Sequence, residues 1–171
     1  SGYPWRVRVE TTYRLGADGL TQTVAATNES ADAAPFGTGP HPYLVAGSAP
    51  LDAWTLTLPA EQVLEVTDHQ LAPIALAEVA GSERFDWRAP RMLGEVEIDH
   101  AFTGLSRVDG VATVRLVDPS GTGVEMVWDQ ACPWVQIHTA DRPPLADGSP
   151  DPGHRAGLAV EPMTCAPDAF N

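Results

Sequence analysis

Four short stretches of the chain carry residues able to do acid–base chemistry. In "GPHPYLV", Gly39 to Val45, a histidine stands between two prolines. Pro40 and Pro42 each fix their own φ, and the residue before a proline is pushed towards extended geometry. His41 therefore has few backbone choices, which suits an imidazole held still as an acid or base. Packing alone is the other use of such a residue. In "EIDHAFTGL", Glu97 to Leu105, Asp99 and His100 are adjacent. On a strand they point to opposite faces, so they cannot easily share one substrate. Asp99 can accept hydrogen bonds from hydroxyl groups of a sugar, or cap the turn at "FTG".

The third stretch is "WVQIHTAD", in which Trp134, Gln136 and His138 fall on one strand face. An aromatic, an amide and an imidazole together suit a polar pocket, and equally a mixed exposed face. The fourth is "LAVEPMTCAPDAFN", Leu158 to Asn171, where Glu161 follows an apolar run and precedes a proline. A carboxylate at the mouth of a buried strand is partly desolvated, which raises its pKa towards that of a useful base. In open water it is an ordinary strand-end glutamate.

Other chemistries lack their residues. The five histidines, His41, His69, His100, His138 and His154, lie in separate segments and form no HxH or HxxxH pair. No metal is expected on that ground. There is no GxSxG, no GxxxxGK[ST] and no dinucleotide fingerprint. The formal net charge of −13 repels nucleic acid and anionic membranes. The ten basic residues are scattered, so a neutral ligand is favoured over a phosphorylated one. No apolar run approaches the ~20 residues of a membrane helix. No basic-then-apolar segment opens the chain, and a cytoplasmic location is expected. Cys132 and Cys165 fit neither a metal pattern nor a disulfide framework and are read as reduced thiols, with one long-range disulfide as the alternative.

The elements that must position these residues read as strands. In "WRVRVETTYRL", Trp5, Val7, Val9, Tyr13 and Leu15 alternate with polar residues, the period of a half-buried antiparallel strand. Trp5, Val7 and Val9 are expected to face a core. "GADG" is turn chemistry and "LTQTVAATN" returns as the second strand of a hairpin. "WTLTL", "VATVRLVD" with "TGVEMVWD", "PWVQIHTA" and "GLAVE" are further strands. "PIALAEVA", Pro73 to Ala80, is the one helix-like run, too short to stand alone. Asp141 to Gly157 reads as a long surface loop. At 171 residues the chain suits one all-β domain, a sandwich or barrel.

Taken in order, "GPHPYLV", "FDWRAPRMLG", "IDHAFTGL", "WVQIHTAD" and "GLAVEPMTCAPDAFN" resemble the aldose 1-epimerase (galactose mutarotase) family across nearly the whole chain. The resemblance implies a large antiparallel β-sandwich with a sugar in an open cleft, and interconversion of the α and β anomers of a free hexose without a cofactor. By motif match, Glu161 stands at the catalytic base and His41 at the general acid. Asp99 and Gln136 stand at sugar-binding positions. The implied partner is a neutral monosaccharide of the glucose or galactose class. The alternatives are a non-catalytic sugar-binding sandwich and a hexose-6-phosphate epimerase relative.

The resemblance also departs from the family pattern. Members carry a further N-terminal portion, with another active-site histidine and an arginine, and continue into a last strand past "DAFN". Residues 1–171 are therefore expected to be a partial mutarotase-like sandwich, incomplete at both ends and inactive alone. Its open edges would pair in a homodimer or with an N-terminal fragment.

Overall fold

A computed structural model of the protein describes residues 2–170, which fall into two compact units, one ending at Phe36 and one beginning at Gly37. In the first unit, β1 (Val7–Gly16) and β2 (Gly19–Asn28) pair antiparallel from Val7↔Asn28 to Gly16↔Gly19. The predicted hairpin is present, and Gly19 takes the positive φ of +112° that its turn requires. The predicted buried face is not. Val9, Tyr13 and Leu15 are exposed, and Trp5 and Val7 are only half-buried. Alternation marks which face of a strand is apolar. It does not supply a second layer, and a lone two-stranded ribbon has none of its own.

The second unit is an antiparallel β-sandwich, as expected from the strand pattern. One sheet has four strands, in the order β10 (Gly123–Trp128), β9 (Ala112–Val117), β4 (Thr55–Thr57), β7 (Arg91–Met92). The other has six, in the order β3 (Tyr43–Leu44), β12 (Leu158–Met163), β11 (Trp134–His138), β8 (Asp99–Leu105), β5 (Ala60–Val66), β6 (Pro73–Glu78). Every pairing is antiparallel. Leu56, Val114 and Leu116 from the first sheet share one core with Phe102, Val135, Ile137, Leu158 and Val160 from the second. Burying each such side chain contributes ~1.5–3 kcal/mol. Among the described residues no helix is long and apolar enough to cross a membrane.

"PIALAEVA" is not helical. Its first six residues form β6, paired with β5 from Gln62↔Glu78 to Val66↔Pro73. The run sits at a sheet edge, where a neighbouring backbone offers more hydrogen bonds than a two-turn helix could make for itself. Pro73 is the first residue of the strand, a position that tolerates its missing N–H. The partner strand β5, "AEQVLEV", carries no clean alternation and is not legible from sequence.

The long segment from Asp141 to Gly157 forms no strand, as expected, but its base is pinned by Arg155. That guanidinium donates from Nε to Asp52 Oδ1 at 2.7 Å, from Nη1 to Asp141 Oδ1 at 2.7 Å, and from Nη2 to the Gly94 carbonyl at 2.7 Å. The side chain is 11% exposed. Asp141 also takes a hydrogen bond from the buried Thr139 hydroxyl. Removing one partner of a buried charge pair leaves the other uncompensated. Arg155→Met should therefore cost about 3 kcal/mol, seen as a fall of about 6–12 °C in Tm. An unchanged melting curve would show that the clasp is not structural.

Candidate active site

The floor of the site is the outer face of the six-stranded sheet. Along β11, Val135 and Ile137 enter the core, so Trp134, Gln136 and His138 must point the other way. On β8 the same alternation turns His100 and Phe102 to the core side and Asp99 and Ala101 outward. The expectation that Asp99 and His100 part company holds: His100 packs against Phe85, with ring centroids 4.7 Å apart. On β12, Val160 is buried and Glu161 faces out. Register then builds two rows. Asp99, His138, Ala159 and Tyr43 lie side by side, and so do Ala101, Gln136 and Glu161.

His41 completes the second row. The pairing Leu158↔Leu44 and Ala159↔Tyr43 carries on past the end of β3, because Val160 N–H donates to the Pro42 carbonyl at 3.2 Å. That brings His41 opposite Glu161, with His41 Nε2 3.2 Å from Glu161 Oε1. The flanking prolines keep this stretch extended. The ring rests beside Tyr43, centroids 5.1 Å apart. Ala101, small among the large side chains of its row, lines a cleft of about 380 Å³. Its polar lining is His41, Glu161, Gln136, Asp99 and His138, and its apolar lining includes Val66, Leu71, Met163 and Pro167.

All four residues singled out by motif therefore meet in one cleft. Gln136 Nε2 donates to Asp99 Oδ1 at 2.7 Å. The His41 and Glu161 side chains are in direct polar contact in the cleft. Glu161 is 13% exposed and His41 54%. Burial pushes the Glu161 carboxyl above its ordinary pKa, although His41 and His138 act against the rise. Glu161 is not at a strand end: Pro162 continues β12, opposite Val135. Its desolvation comes from a mid-strand position between two neighbours.

Sequence reasoning placed His138 on the right face without drawing it into the site. It missed the apolar lining. Leu71, one of those residues, has φ +52°, the left-handed region that leucine rarely enters. Nothing in "DHQLAP" marks it.

The sequence model of aldose 1-epimerase matches residues 1–171, the same span over which the five motifs run. The chain belongs to the aldose 1-epimerase family. Among curated relatives it is 31% identical to the uncharacterized protein YihR of Escherichia coli K12, over 99% of this chain and 50% of that protein. Among solved structures it resembles a GalM/aldose epimerase homologue from C. elegans, with a TM-score of 0.74 and 20% identity over 95% of this chain and 52% of that one. It also resembles a putative aldose 1-epimerase from Escherichia coli K12, with a TM-score of 0.69 and 26% identity over 96% of this chain and 51% of that one. The chain spans about half the length of the relatives it matches. These likenesses agree with the mutarotase-like sandwich read from the strands.

Proposed function

We propose that this epimerase-family cleft interconverts the α and β anomers of a free, neutral hexose. The observation that carries the reading is the meeting of a desolvated carboxylate, Glu161, with an imidazole, His41, at 3.2 Å beside an amide and a second carboxylate. Glu161 takes the proton from the anomeric hydroxyl. The electron pair of that O–H forms the C1 carbonyl, the C1–O5 bond breaks, and O5 receives the proton of His41. The aldehyde turns about C1–C2. O5 then attacks the other face of the carbonyl, returns its proton to His41, and the new C1 hydroxyl recovers its proton from Glu161. Each group ends as it began, so no cofactor takes part.

The resting pair suits this cycle. The forward step needs a carboxylate at Glu161 and a proton on His41, and the 3.2 Å contact places both groups within reach of one substrate. Gln136 and Asp99 supply acceptors and donors for the remaining hydroxyls, and the apolar lining residues Val66, Leu71, Met163 and Pro167 suit the C–H groups of a pyranose. Among the described residues no Arg or Lys lines the cleft, which favours a neutral sugar over a phosphorylated one.

Polarimetry of freshly dissolved α-D-galactose and α-D-glucose tests the reading in the full gene product. Both rotations should relax faster with protein than without, and glucose 6-phosphate should not. Acceleration of the phosphosugar alone would replace the neutral-hexose reading. Sugar binding with no acceleration would favour a non-catalytic sandwich. The rate should also fall on acidification, as Glu161 becomes protonated. Because burial raises its pKa, that acidic limb should lie above the ordinary glutamate value. A limb at or below that value would point to a solvated carboxylate as the base.

A further inference from the structure

One imidazole in the cleft has no part in the proton transfers above. His138 sits between Asp99 on β8 and Ala159 on β12. Its Nδ1 is buried and makes no hydrogen bond among the described residues, while the side chain as a whole is 25% exposed. The accessible part of the ring is therefore the side away from Nδ1, which carries Nε2. Asp99 Oδ2 lies 3.7 Å from Nδ1. The other carboxylate oxygen, Oδ1, is held at 2.7 Å by Gln136 Nε2, which keeps the carboxylate turned between the two residues. Tyr43 stands edge-on to the ring, with centroids 6.5 Å apart.

A neutral imidazole has one N–H donor and one bare acceptor, and the partner of one nitrogen decides the state of the other. A carboxylate beside Nδ1 favours the proton there. Nε2 is then left as a lone-pair acceptor on the cleft side. A pyranose presents several hydroxyl donors around its ring. We infer that His138 contacts the substrate: Asp99 fixes its Nδ1–H tautomer, and Nε2 accepts a hydrogen bond from a hydroxyl of the bound aldose. Asp99 thereby serves as a positioning residue for both Gln136 and His138. The hydroxyl contact rests on the aldose reading of the cleft, whereas the tautomer does not.

Two measurements separate these parts. Long-range ¹H–¹⁵N correlation spectra of the histidine-labelled full gene product, above the pH of imidazole titration, read the tautomer directly. His138, assigned by the signal lost in His138→Gln, should be the Nδ1–H form. Asp99→Ala should shift it towards the Nε2–H form that free histidine prefers. D-Galactose or D-glucose should then move the Nε2 resonance. In anomerisation kinetics, His138→Phe should raise KM about tenfold or more, with the smaller share of the loss in kcat. His138→Gln, whose amide oxygen can accept the same hydrogen bond, should recover most of it. An Nε2–H tautomer in the wild-type protein overturns the inference, and so does an equal loss in the Phe and Gln variants. If neither sugar perturbs any cleft residue, the aldose reading and the hydroxyl contact fall together, and the tautomer is still judged by its own spectrum.

Discussion

Glu161→Gln in the full gene product should lower the anomerisation rate by about 10²–10⁴-fold, the usual worth of a positioned acid or base. The amide keeps the shape of the side chain and can still meet His41, but it cannot take a proton. Stability should move the other way or hardly at all. A carboxyl whose pKa is higher in the folded than in the unfolded protein favours folding at low pH, where it is protonated. That contribution is lost as pH rises through the folded value. Glu161 is raised by burial, so near neutral pH its charge works against folding and the amide removes the charge. The melting temperature of Glu161→Gln at pH 7 should stay within about 2–4 °C of wild type, or rise, equivalent to ~1 kcal/mol. Wild-type turnover would place the base elsewhere. A large fall in Tm beside the lost rate would make Glu161 a structural residue.

His41→Asn should cost about 10²–10³-fold in rate, again with little change in melting temperature. Asparagine retains a donor and fits between Pro40 and Pro42, but it cannot release a proton to the ring oxygen. His41 is 54% exposed, and it makes ring contact with Tyr43 and polar contact with Glu161. Little core packing depends on it. The two variants together are informative. Groups that act as one unit do not add their losses, so the double variant should be scarcely slower than the worse single one. Fully multiplicative losses would mean that His41 and Glu161 serve different steps.

The site was more legible in the sequence than the packing around it. Strand alternation alone put Gln136 with His138 and separated Asp99 from His100, because the side-chain period of a strand is two whatever its neighbours do. Prolines flanking His41 marked a stiff segment, and that segment continues the register that carries His41 to Glu161. What alternation cannot show is the next layer. The apolar face of β1 looks like a buried one and is exposed at Val9, Tyr13 and Leu15. "PIALAEVA" has helical composition and is a strand, since the edge of β5 decides its backbone. Arg155 stands in a long loop, yet it ties together residues from positions 52, 94 and 141. Such long-range partners leave no local mark. The same holds for Leu71, whose positive φ is set by the turn it closes rather than by its own preference.

The most direct test is a crystal structure of the full gene product carrying Glu161→Gln, soaked with D-galactose. The slowed variant should hold one sugar ring in the cleft against Gln136. The anomeric oxygen should lie about 2.6–3.2 Å from the side-chain amide at position 161, and the ring oxygen within the same reach of His41 Nε2. That requires the present 3.2 Å contact between His41 and residue 161 to open around the ring. A sugar bound with C1 turned to solvent, or bound outside this cleft while His41 and residue 161 stay in contact, would contradict the account.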